Sequence, residues 1–282
     1  MSQVHIVTDS ASQIPDALRL ELDIHVVQIP YEWDGETYID EVDMGLREFY
    51  DRLRQSRTLP KTSGPTPGSY LTVFEKLASD GGSILVVHVG HEFSSTYKTA
   101  QIAREMLPSA DIHLFDSHSN ALGLGFQVLA VARAARQGSG LDELLEVARQ
   151  ARERTGVVFV LEDMRYMQRG GRITFGQRVL ASALNLTPIL EINQGPIDMI
   201  GRVRSSNRAM MKLVEIVDTR LDGRKPVRIG VHHTDNERDA FQLRKLVQEK
   251  LRPDEIILRE VTPSLGIHIG PGSIGLSYCG GL

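Results

Sequence analysis

The chain has 282 residues, 41% hydrophobic and 24% charged, with a formal net charge of −4. That length suits two domains better than one, and the balance is that of a globular chain with ample core material. A mildly acidic chain gives no electrostatic case for nucleic acid, no apolar run approaches bilayer length, and the single cysteine, Cys279, excludes an internal disulfide and any multi-cysteine metal site.

Met1-Ser2-Gln3-Val4-His5 has neither the basic region nor the apolar stretch of a signal peptide, so a cytoplasmic location is expected. Residues 4–8 are a short apolar run ending in Asp9-Ser10, a turn and cap pair, which predicts a strand. Pro15 opens a helix to about residue 22, and 24–30 reads as the next strand. Leu46, Phe49, Tyr50 and Leu53 recur at helical spacing, so 45–57 is an amphipathic helix. A helix over 70–78, a fully apolar strand over 84–89, a helix over 96–107, a strand over 112–115 and a helix over 121–137 follow. Gly138-Ser139-Gly140 breaks that helix, and 141–154 forms another. The segment 120–137 carries Gly123, Gly125, Ala130, Ala132, Ala134 and Ala135 among Leu, Phe and Val. It is apolar nearly all round and should be buried, as a central packing helix or as a wall beside a ligand channel.

Continuous apolar strands between helices predict a parallel sheet covered on both faces. The expected fold class is α/β, with residues 1–156 as an N-terminal α/β domain carrying a mainly parallel sheet. Residues 157–282 are expected to form a C-terminal α/β domain with a mixed sheet. Its strands are predicted near 156–161, 188–192, 227–232 and 256–261, and its helices near 206–221 and 236–251. From Pro263 onward the Gly- and Pro-rich tail reads as strand or turn rather than helix.

Gly270-Pro271-Gly272-Ser273-Ile274-Gly275 matches the dinucleotide fingerprint by letters, but only seven residues follow it and it opens no βαβ helix. There is no Gly-Lys dipeptide for a phosphate loop, no Gly-x-Ser-x-Gly elbow and no His-Glu-x-x-His. His88 and His91 read as ordinary strand-end histidines, and neither a metal nor a cofactor is expected. Three hydroxyl clusters remain: residues 61–69 with Thr62, Ser63, Thr66 and Ser69; Phe93-Ser94-Ser95-Thr96-Tyr97; and Asp116-Ser117-His118-Ser119-Asn120. All three lead into helices, the last two directly from strands. In a parallel sheet such ends share one edge, where helix N-termini offer free N–H groups and partial positive charge. Ser and Thr are ordinary N-caps, yet three clusters on one edge can converge on one small anion. Arg165, Arg169 and Arg172 recur at helical spacing and could share a face, most often a solvated basic one; Gly170-Gly171 suggests instead a special backbone conformation that presents Arg172 inward. His268, set between glycines and apolar residues, is either structural or a donor behind the anion.

Together these segments resemble the DegV family, fatty-acid-binding proteins that serve as substrate-presenting subunits of bacterial fatty acid kinase. The likeness runs through Val7-Thr8-Asp9-Ser10-Ala11-Ser12, Lys61-Thr62-Ser63-Gly64-Pro65-Thr66-Pro67-Gly68, Ser94-Ser95-Thr96-Tyr97, Asp116-Ser117 and Gly123-Leu124-Gly125. It continues through Arg169-Gly170-Gly171-Arg172-Ile173, Thr187-Pro188-Ile189-Leu190 and Gly266-Ile267-His268-Ile269-Gly270-Pro271-Gly272. The resemblance implies two α/β domains that enclose one long-chain fatty acid, such as palmitate, in a tunnel at or near their interface. It implies that Thr62 and Ser94 bind the carboxylate, that Arg172 and His268 support them, and that Ser63 is a further neighbour. It implies a carrier rather than an enzyme, without its own nucleotide site, that presents the carboxylate to a separate kinase for acyl-phosphate formation. No nucleic acid partner and no integral membrane segment are expected. The family's Ser-Ser-Gly-Leu-Ser-Gly-Thr-Tyr reads Gly90-His91-Glu92-Phe93-Ser94-Ser95-Thr96-Tyr97 here, so His91 and Glu92 alter the loop just before Ser94. Thr187 stands where a lysine is common, and Gly64 where a glutamine is common.

The residues leave other functions open. A serine esterase or acyl transferase would use Ser94 or Ser63 with His268. Arg165, Arg169, Arg202, Arg204 and Arg208 would suit a basic face for an acidic partner.

Overall fold

The computed structural model describes residues 3–171 and 186–282. The first part runs β1 (Val4–Asp9), α1 (Asp16–Glu21), β2 (Ile24–Val27), β3 (Pro30–Trp33), β4 (Glu36–Ile39), α2 (Leu46–Gln55), β5 (Lys61–Thr62) and α3 (Pro67–Ser79). It continues with β6 (Ser83–His88), α4 (Thr96–Met106), β7 (Asp111–Asp116), α5 (Ala121–Arg136) and α6 (Leu141–Arg154). The second part comprises β8 (Thr155–Val160), α7 (Met164–Gly170), β9 (Thr187–Ile192), β10 (Ile197–Val203) and α8 (Ser206–Leu221). Then come β11 (Val227–His233), α9 (Glu237–Lys250), β12 (Glu255–Glu260), α10 (Pro263–Ile269) and β13 (Ile274–Gly280).

The fold is α/β. β2, β1, β6 and β7 lie side by side in that order, all parallel. Every residue of β6 is buried, the apolar run 84–87 as expected of a strand covered on both faces, with Ser83 and His88 buried at its ends. A six-stranded mixed sheet orders β10-β9-β8-β13-β11-β12, in which only β11 and β12 pair in parallel. A small antiparallel sheet, β4-β3-β5, sits apart. Its aromatic core joins Tyr31, Trp33, Phe49, Tyr50 and Ile267.

Two expectations need correction. Residues 24–30 are not one strand: β2 stops at Val27, and Pro30 starts β3, which pairs in the antiparallel sheet. The tail does hold a helix, α10, with Pro263 in its first turn after Thr262. Proline at that position has no N–H to lose and a φ already suited to a helix. The letter match at 270–275 is a turn at Pro271-Gly272 that runs into β13 at Ile274. Gly270 and Gly272 both have positive φ, and a Cβ on either would run into Tyr166 or Glu162.

α5 is the axle of the molecule. It packs on β1 and β6 of the parallel sheet and on β8, β11 and β13 of the mixed one. Eleven of its residues are buried, so the near-uniform apolar character has two layers to face. Its glycines set how closely those layers approach. A Cβ on Gly123 would lie 2.7 Å from Val157 Cγ2, and one on Gly125 would lie 2.5 Å from the Ser12 carbonyl oxygen. Gln127 ties the layers by donating to Ser117 O at 3.1 Å and Thr155 Oγ1 at 3.0 Å. Buried amide groups persist when so partnered.

Candidate functional site

A hollow is lined on one side by residues of the mixed sheet, such as Val157, Ile192 and His232, and on the other by residues that follow strands of the parallel sheet, such as Ala11, Val89 and Asn120. It leaves about 1110 Å³ free of protein atoms, its open mouth included. Ile29, Phe93, Phe159, Met167, Ile192 and Leu265 supply apolar wall. Thr62, Ser63, Ser94, Ser95, Asn120 and His268 supply polar groups. Among the described lining residues there is no lysine, arginine, aspartate or glutamate.

Each polar group has a local origin. Thr62 sits in β5, whose pairing with Tyr31 of β3 fixes its height. Its Oγ1 lies 3.2 Å from His268 Nε2. His268 comes from α10, and its ring rests against α7: a Cβ on Gly170 would stand 2.8 Å from His268 Nδ1. Gly170 thus serves close approach, while Gly171 takes the left-handed conformation, φ +68°, that ends α7. Arg172, expected to turn inward there, lies outside the described residues. Ser94 precedes α4, accepts the Thr96 N–H at 3.2 Å and lies 2.6 Å from Thr96 Oγ1. When Thr96 donates in that pair, the Ser94 proton is available to the hollow. Ser63 is exposed, and its hydroxyl donates to Pro30 O at 3.3 Å.

The third hydroxyl cluster behaves differently. Ser117 donates to Ser119 O at 3.1 Å, and its oxygen accepts the Ser119 N–H. Both serve their own loop, and only Asn120 of that cluster reaches the hollow. Sequence reasoning missed His232, which β11 carries to the lining. Its Nε2 lies 2.8 Å from Ser277 Oγ, and burial pushes its pKa down to about 3, so it stays neutral. Nearby, burial lifts the Asp9 carboxyl to about 7, against the backbone N–H bonds from Val89 and Ala11. Arg165, Arg169, Arg202, Arg204 and Arg208 are all exposed, and Arg165 pairs with Asp163 at 2.7 Å.

The family model for the DegV family of uncharacterised proteins matches residues 3–280. A DegV domain-containing protein of Clostridium perfringens is 32% identical over 279 residues, 98% of each chain. The chain belongs to the DegV family. Protein DegV of Bacillus subtilis is 26% identical over 98% of this chain and 99% of its own length. Among solved DegV structures, a fatty-acid-binding family member from Thermus thermophilus superposes with a TM-score of 0.93 at 26% identity, covering 99% of both chains. The Bacillus subtilis DegV structure, a fatty acid binding protein, gives a TM-score of 0.90 at 26% identity, covering 99% of this chain and all of the other. Among the described residues of this DegV family member, no helix is long and apolar enough to cross a membrane.

Proposed function

We propose that this chain holds one long-chain fatty acid in the hollow, with the carboxylate at Thr62, Ser63 and Ser94 and with Arg172 and His268 behind them. The observation that carries the reading is the hollow itself: apolar walls with hydroxyls, a neutral histidine and no charged side chain among its described lining. Apolar walls suit an acyl tail. Burying a methylene is worth about 0.8 kcal/mol, so roughly fifteen give a gross gain on the order of 12 kcal/mol before association costs. Hydroxyl donors orient the head without a formal ion pair. The fatty-acid-binding DegV relatives add support.

The same proposal makes the chain a cytoplasmic carrier of two units, 1–156 and 157–282, without its own nucleotide site. A separate kinase supplies ATP; a carboxylate oxygen attacks the γ-phosphorus, and ADP leaves as the acyl phosphate forms. The esterase alternative draws less support. His268 Nε2 lies against Thr62, while Ser94 pairs with Thr96 and Ser63 with Pro30 O. A serine nucleophile needs an imidazole nitrogen on its own hydroxyl.

Native mass spectrometry of the purified protein tests the reading. The expected spectrum carries the added mass of one acyl chain. A clean protein mass, with no gain after palmitate or oleate is added, refutes it.

A further inference from the structure

β6 and β7 are neighbours, with His88 paired in register to Asp116, so the loops that leave them start side by side. The loop after β6 carries His91 and Glu92. The loop after β7 carries His118, held at φ +49°. His91 Nδ1 lies 2.6 Å from Asp116 Oδ2, and His118 Nδ1 lies 2.6 Å from Glu92 Oε1. Glu92 Oε2 lies 3.6 Å from His91 Nδ1 and has no hydrogen-bond partner, although it is shielded from solvent. The two imidazoles stand 5.3 Å apart at 77°. One ligand atom from each of the four residues falls within 4.8 Å of the others.

The charge pattern is unusual for a surface salt-bridge cluster. The Glu92 and Asp116 side chains are only 17% and 16% exposed, and among the described residues their ion-pair partners are these two histidines alone. Arg152 is close, but it donates to the Asp116 backbone carbonyl rather than to the carboxylate. The second Asp116 oxygen accepts the His118 N–H at 3.1 Å and lies 3.4 Å from His91 N, which aims Oδ2 at the cluster. Gly90 leaves room for Glu92 to fold back, since a Cβ there would stand 2.7 Å from Glu92 Oε2.

We propose that His91, Glu92, Asp116 and His118 form a binding site for a divalent transition metal of the zinc class. Two imidazoles and two carboxylates are a donor set that zinc and its neighbours accept. Calcium or magnesium would ask for more oxygens. Metal–ligand bonds of about 2.0–2.1 Å set a tetrahedral edge of roughly 3.3 Å. Each histidine–carboxylate pair therefore opens by about 0.7 Å on loading and gives up the proton it shares. The ion would pin the segment from Gly90 to Glu92 onto the end of β7 and so fix the backbone that leads into Ser94. The site stands whether or not the hollow takes a lipid.

The test titrates the full chain, stripped by a chelator, with Co²⁺ and then Zn²⁺. The expected result is one equivalent of Co²⁺ with the visible absorption of a low-coordinate nitrogen–oxygen site, displaced by Zn²⁺. His91→Ala with His118→Ala should weaken Zn²⁺ binding by at least about 100-fold while the circular dichroism stays the same. Glu92→Gln leaves both imidazoles in place and must also weaken binding, which keeps the test decisive if the double variant misfolds. Absence of saturable binding, or binding that these variants leave intact, overturns the assignment.

Discussion

Replacing Thr62 by Val and Ser94 by Ala removes two hydroxyls from the hollow while changing its shape little. Valine is close to isosteric with threonine and suits the strand conformation of β5. A hydrogen bond to a charged group contributes about 1.5–3 kcal/mol. Both hydroxyls already have protein partners, Thr62 with His268 at 3.2 Å and Ser94 with Thr96 at 2.6 Å. Ser94 keeps the bond from Thr96 while its own proton turns to the carboxylate, but each hydroxyl still trades water for the ligand, so the low end applies. Each single variant should lose about tenfold in palmitate affinity; the double should lose more than either single and at most about 100-fold, because both hydroxyls meet the same carboxylate and their losses need not add. The tail term is untouched, so the gain per added methylene should match the parent's. Isothermal titration with laurate, myristate and palmitate separates the two quantities. Palmityl alcohol, which has no carboxylate, should bind the parent and the double variant nearly alike. A folded double variant that binds palmitate within twofold of the parent would refute the argument that these hydroxyls hold the head group.

Gly125→Ala should destabilise the protein even though alanine is the better helix former by about 1 kcal/mol. The new methyl meets the Ser12 carbonyl at 2.5 Å and Leu122 Cδ2 at 2.9 Å. A net loss of about 1–3 kcal/mol is expected in urea denaturation; unchanged or higher stability would contradict the close approach at α5. A second expectation concerns acid. Burial lowers the folded pKa of His232 to about 3 from an ordinary 6.5, so its stabilising contribution is present above pH 6.5 and fades as pH falls towards 3. Between pH 7 and pH 5 that loss is about 2 kcal/mol, so His232→Gln should shrink the parent's loss over that interval by this amount. Equal losses in parent and variant would show that His232 accepts a proton as readily in the folded chain as in the unfolded one.

Much of this architecture was legible because its signals are local. The helix over 206–221 has Ala209, Met210, Leu213, Val214, Val217 and Leu221 on its buried face, and its bounds follow from that spacing. The parallel sheet followed from unbroken apolar runs. What sequence did not disclose is which partner a segment chooses. Val27 and Ile29 are both buried and apolar, and nothing local says that the sheet changes between them. The Asp34-Gly35 pair, with φ of 53° and 88°, is a hairpin signal for β3 and β4 that the letters do carry. Residues 197–203 alternate inward and outward as a strand should, yet Gly201 and Arg202 obscured them. In α10, Gly266 inside the helix and Gly270 just past its end argued against a helix, but packing on α7 and the Thr262-Pro263 start outweighed them. The hydroxyls of the hollow stood out by type and place. His232 did not, because an inward-facing strand histidine looks like any other core residue.

The position of β13 has a consequence during synthesis. It lies between β8 and β11, so those two strands cannot meet directly, and the mixed sheet remains two separate ribbons until residues 274–280 slot in. Ser273, Ile274 and Gly275 also form part of the wall of the hollow. A nascent chain still held on the ribosome at these residues therefore lacks one wall of the hollow, which is completed only once that stretch has emerged.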